Sequence, residues 1–141
     1  MEQKIESPTE QEIAWIAMQL KGASKFIGIY LPSESDDSLS LAKLDRAFAL
    51  WLKEKETKSE IVNAVINRVG VAFGQHLVDN LGFKWVVASD KQSVELAVYA
   101  LPGNGDVLKY PANLVAKRWE RGEIEFLEPS YDKIAAQVKR L

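Results

Sequence analysis

His76 is the only imidazole in the chain, and it sits in an apolar run, GVAFGQHLVDNLGFKW (70–85), together with two glycines, Gly70 and Gly74. An imidazole can serve as a general base or ligate a metal ion. A metal site of nitrogen and sulfur donors is excluded, because no second histidine and no cysteine exist to complete it. Base catalysis requires a hydroxyl or carboxylate within hydrogen-bond reach, and the sequence does not place one. The structural alternative is a buried or half-buried imidazole bonded to a backbone carbonyl, or to Asp45 of the preceding helix. The glycines pose the same choice. Each costs about 1 kcal/mol of helix propensity relative to alanine, offset either by close approach of another backbone or by a concavity that seats a ligand. Gly70, Gly74 and His76 are thus a candidate pocket for a small enzyme or ligand-binding domain, set against plain close packing.

Three further groups invite a chemical reading. Glu34, Asp36 and Asp37 form an acidic loop, but it lacks the glycine and closing glutamate of a calcium-binding hand. Gly103, Asn104 and Gly105 suit a hairpin, because no helix with lysine and serine or threonine follows to make a phosphate cradle. Lys117, Arg118, Trp119 and Arg121 combine cations with an indole on a short helix, a composition favoured at protein interfaces. The competing reading turns Trp119 into the core, as expected also for Trp15, Trp51 and Trp85. No metal and no cofactor are expected.

The elements that must position these residues are legible as periodicities. Ser7, Pro8, Thr9 and Glu10 predict a helix start with Ser7 as cap and proline at the first position. Ile13, Ile16, Ala17 and Leu20 share a face, and Gly22 offers a stop; 25–31 reads as a short strand or as more helix. A second helix is expected over 39–55, with Leu41, Leu44, Phe48 and Trp51 on its apolar stripe and Asp45 outside it. A third runs from Ser59 or Glu60 to about Asn80, capped by Gly82. Projected at 100° per residue, it puts Val62, Val65, Ile66, Val69 and Phe73 on one arc. His76 falls near the middle of that arc, and the glycines lie on its flank. The period then becomes two: KWVVAS (84–89) and SVELAVYAL (93–101) are strands joined by a polar turn. A short third strand near 107–110 follows PGNGD. Pro111 opens a helix that stops at Gly122, 123–127 reads as extended, and 130–140 as a closing helix. The expected fold class is α+β in a single domain, 1–141: three N-terminal helices on a three-stranded antiparallel meander, then two short helices.

Composition narrows the function classes. With 47% hydrophobic and 27% charged residues, the chain is ordinary for a globular protein. A net charge of −2 with interspersed signs leaves no footprint for nucleic acid or an anionic membrane. The polar, acidic first twelve residues lack the pattern of a secretory signal. The apolar stretch 13–31 is interrupted by Gln19, Lys21, Ser24 and Lys25, so it is read as no membrane span. The expected compartment is the cytoplasm.

The run VGVAFGQHLVDNLGFKWVVASDKQSVELAV followed by YPANLVAKRWERGE resembles small bacterial proteins grouped as domain of unknown function 3806. The matching positions are Gly70, Gly74, Gly82, Trp85, Asp90, Pro111, Lys117, Arg118, Gly122 and Glu123, over about 60–125, with Leu44 and Asp45 as a weaker echo upstream. Gln92 and Ser93 stand where the pattern has glycine. The resemblance implies a fold pattern and a bacterial, cytoplasmic setting, not an activity. By elimination the expected function is a non-enzymatic protein-binding module, accessory or immunity-like, with an unidentified protein partner. A structural subunit whose apolar face completes a homodimer is a third reading.

Overall fold

The computed structural model describes residues 3–34 and 38–139. Its elements are β1 (Lys4–Glu6), α1 (Glu10–Tyr30), α2 (Leu41–Leu52), α3 (Ser59–Leu81), β2 (Lys84–Ser89), β3 (Val94–Ala100), β4 (Val107–Lys109), α4 (Pro111–Arg121) and α5 (Leu127–Lys139). The α+β class and the five helices agree with the sequence expectation. The sheet differs: it has four antiparallel strands in the order β1-β2-β3-β4, not three. β1 precedes the helices and pairs Ile5 with Ala88, so the N-terminal half is not wholly helical. All three residues of β1 are exposed, and three residues are too few to carry a period.

Local chemistry explains where the elements start and stop. α1 is capped by Thr9, not Ser7: Thr9 Oγ1 accepts from the Glu12 N–H and Glu12 Oε1 from the Thr9 N–H, a reciprocal capping box. α1 then runs past Gly22 without stopping. A Cβ there would lie 2.7 Å from Arg68 Nε, so this glycine makes room for a side chain of α3. Gly82 (φ 76°) and Gly122 (φ 66°) end α3 and α4 in the left-handed conformation, as expected. The β2–β3 turn needs no glycine, because Asp90 Oδ1 accepts the N–H groups of Gln92 (2.8 Å) and Ser93 (2.9 Å). Those two bonds hold the Asp90 carboxyl below its usual range. The segment 123–126 is no strand, and α5 begins at Leu127, ahead of the expected Ser130.

The helices pack on one face of the sheet around Phe48, Phe73, Leu44, Leu77, Val69, Val98, Val115 and Leu127, all fully buried. Through its middle turns, from Val69 to Gly74, α3 is buried on every side. It is the central helix, flanked by α1 and α4. Asp45, expected on the wet side of α2, is 4% exposed and is the only buried charged residue among the described residues. No helix of the described residues is long and apolar enough to cross a membrane.

Candidate functional site

Gly70 and Gly74 are both occupied by neighbours. A Cβ at Gly70 would lie 2.8 Å from Ala112 Cα and 3.0 Å from Ala112 N, so the backbone of α4's first turn rests directly on α3. At Gly74 the neighbours are Trp85 Cη2 (2.5 Å) and Pro111 Cγ (2.9 Å). The Trp85 indole lies against the glycine, and its Nε1–H donates to Gln75 Oε1 at 3.0 Å.

His76 faces elsewhere. It is half-buried, and its ring Nε2 bonds the Leu39 carbonyl oxygen ahead of α2. A carbonyl only accepts, so Nε2 carries the proton. Leu39, Ser40, Gln75, His76 and Asp79 line a shallow cavity of about 600 Å³ that contains neither glycine. The structure therefore does not bring Gly70, Gly74 and His76 into one pocket. The polar groups beside His76 have structural engagements: Ser40 Oγ accepts from the Lys43 N–H as the α2 cap, and Asp79 Oδ1 accepts from Gln75 Nε2 at 2.8 Å. Asp45, the other sequence candidate for a partner, is bonded to the start of α5. The bond to Leu39 ties the segment before α2 to α3. His76→Leu is expected to cost about 1 kcal/mol, the net worth of one such bond, read from urea unfolding.

The basic patch divides in two. Trp119 is half-buried and packs on the main core, one turn beyond the fully buried Val115. Lys117, Arg118 and Arg121 lie on the other side of α4 and line a groove of about 310 Å³ with Lys109 of β4 and Tyr110. Arg118 Nη1 donates to Glu123 Oε2 at 2.5 Å, and Arg121 Nη1 stands 3.7 Å from Glu123 Oε1. The Arg118 guanidinium holds the Glu123 carboxyl below its usual range. Lys109 and Lys117 have no ion-pair partner among the described residues. Lys109 escaped the sequence reading because it belongs to a strand. Its nearness to the α4 cations follows from Tyr110 and Pro111 turning the chain straight into the helix.

Asp36 and Asp37 of the acidic loop lie outside the described residues. Among the described residues no group of three His, Asp or Glu side chains could hold a metal ion.

Helices on one face of an antiparallel sheet, with an open groove where β4 runs into α4, define a small α+β domain. The chain belongs to the family described as Domain of unknown function (DUF3806), whose model matches residues 43–131. The match takes in α2 through the first turn of α5 and leaves out β1 and α1. No curated protein and no solved structure matches the chain.

Proposed function

We propose that this protein is a non-enzymatic, protein-binding module of the bacterial cytoplasm that holds an acidic segment of its partner in the groove between β4 and α4. Masking a partner in this way is the mode of an accessory or immunity-like protein. One observation carries the reading: Lys109, Lys117, Arg118 and Arg121 converge on a single groove, and the two lysines lack a carboxylate of their own. Four cations around a concavity raise the local potential although the chain as a whole carries −2. Arginines already paired with Glu123 are held in place, and the free lysines supply attraction.

The test is fluorescence anisotropy of a labelled hexaglutamate peptide at low and high salt. Binding should weaken with salt, and the double substitution Lys109→Glu and Lys117→Glu should weaken it at least about tenfold, since like charges would then face the peptide. The melting curve should hold, because neither lysine belongs to the buried core and neither has an ion pair to lose among the described residues. No binding, or binding indifferent to the double variant, overturns the reading. Tighter binding of a single-stranded oligonucleotide of equal charge would do the same and move the groove to another partner class.

A further inference from the structure

A second concavity, of about 200 Å³, opens on the other side of Tyr110, Pro111 and Asn113. Its walls come from five parts of the fold: Trp15 of α1, Val71 of α3, Trp85 of β2, Glu95 of β3, and Tyr110 at the start of α4. The glycines of α3 build it. Gly74 lets the Trp85 indole lie against the helix, where the bond to Gln75 fixes the ring. Gly70 lets the first turn of α4 come within backbone contact of α3, and this brings Tyr110 to the rim.

The chemistry of this lining is specific. Trp15, Trp85, Tyr110 and Glu95 are all half-buried, and no lysine or arginine among the described residues lines the cleft. Glu95 has no ion-pair partner among the described residues. Its one hydrogen bond comes from Asn113 Nδ2 at 3.5 Å, the long limit of such a contact. A half-buried carboxylate without a cation calls for one. A hard metal ion would need several oxygen donors, whereas three aromatic side chains and one carboxylate suit a soft organic cation. The volume lies below the roughly 300–1,000 Å³ of sites for drug-sized ligands, which limits the occupant to a small head group.

We propose that the cleft between Trp15, Trp85, Tyr110 and Glu95 binds an alkylammonium group, either of a free small molecule or of a methylated lysine side chain. The cleft shares Tyr110, Pro111 and Asn113 with the cationic groove but carries Glu95 in place of its cations, so the proposal concerns a ligand of opposite charge.

The test is titration of the full chain with choline, its neutral isostere 3,3-dimethylbutan-1-ol, and an acetylated, amidated trimethyllysine, read from the tryptophan indole N–H signals in ¹⁵N spectra. Choline and trimethyllysine should shift the Trp15 and Trp85 signals, and the neutral isostere should not. Glu95→Gln keeps the acceptor for Asn113 and removes the charge, so it should weaken cation binding about five- to tenfold. Trp15→Ala should weaken it comparably, with thermal melts confirming that both variants fold. Tighter binding of the amino-acid derivative assigns the site to a side chain, and tighter binding of choline to a free molecule. No shift with either cation, equal binding of the neutral isostere, or an unchanged affinity in folded Glu95→Gln overturns the proposal.

Discussion

Gly70→Ala lowers the unfolding free energy by about 1–3 kcal/mol, although alanine is the better helix former by about 1 kcal/mol. The added methyl would stand 2.8 Å from Ala112 Cα, 3.0 Å from Ala112 N and 3.2 Å from the Pro111 carbonyl carbon, all backbone atoms. No side-chain rotation relieves such a contact, so α4 must back away and open the packing between Val115 and α3. Gly22→Ala is the internal control. Its methyl would meet Arg68 Nε at 2.7 Å, the outer part of a long side chain that can swing aside. It should therefore be neutral or raise stability by up to about 1 kcal/mol. Urea unfolding of both variants, with slopes unchanged from the parent, reads the difference. A Gly70→Ala protein as stable as the parent would remove the close-approach account of these glycines.

That contrast marks how far the sequence was legible. Periodicity located α2, α3, β2, β3 and α4 to within a few residues, because each carries a long apolar stripe or a marked cap such as Gly82 or Pro111. It identified Gly70 and Gly74 as sites of close approach or of a concavity, without naming the neighbour: Ala112 and Trp85 are brought there by the sheet and its turns. The same residue type misled at Gly22, where the glycine serves Arg68 instead of ending a helix. β1 was invisible, since a three-residue edge strand with every side chain exposed has no pattern to read. The candidate site was legible in its α4 half, at Lys117, Arg118 and Arg121. Lys109 and Glu95 were missed because the neighbours that single them out lie on α4, the cations beside Lys109 and Asn113 beside Glu95, and helical projection cannot bring a helix and a strand together. Trp119 belongs to the same lesson. Charged neighbours in sequence surround it, yet its i−4 residue is the buried Val115, and that spacing sets its direction.

Asp45 is the second residue whose meaning lies in a distant partner, and its removal should be among the most damaging single changes. α5 has no cap of its own: the residue before it is Phe126, which is buried and apolar. Asp45 of α2 supplies one across the fold, with Oδ1 accepting from the Leu127 N–H at 2.9 Å and Oδ2 from the Glu128 N–H at 3.1 Å. Position three of the helix is Pro129, which has no N–H, and the Ser130 N–H already bonds the Phe126 carbonyl. Every donor of the first turn is thereby engaged. Asp45→Ala strands the buried Leu127 N–H and should cost about 2–3 kcal/mol, combining a lost cap with an unpaired buried donor. Asp45→Asn retains one acceptor and should cost about half as much. Burial pushes the Asp45 carboxyl above its ordinary value of 3.8, outweighing the backbone N–H groups of Leu127, Glu128 and Phe126 that pull it down, and the Glu128 carboxylate adds to the rise. The folded protein then holds this proton more tightly than the unfolded chain. The stability advantage of the parent over Asp45→Asn must therefore shrink as pH rises from 3.8 through the raised folded value, and stay level above it. Glu34, Asp90, Asp106 and Glu123, whose carboxyls are held low, titrate in both proteins and cancel in the difference. Paired urea unfolding from pH 4 to pH 7 reads the trend. An advantage that grows with pH would mean that the backbone N–H groups, not burial, govern this carboxylate.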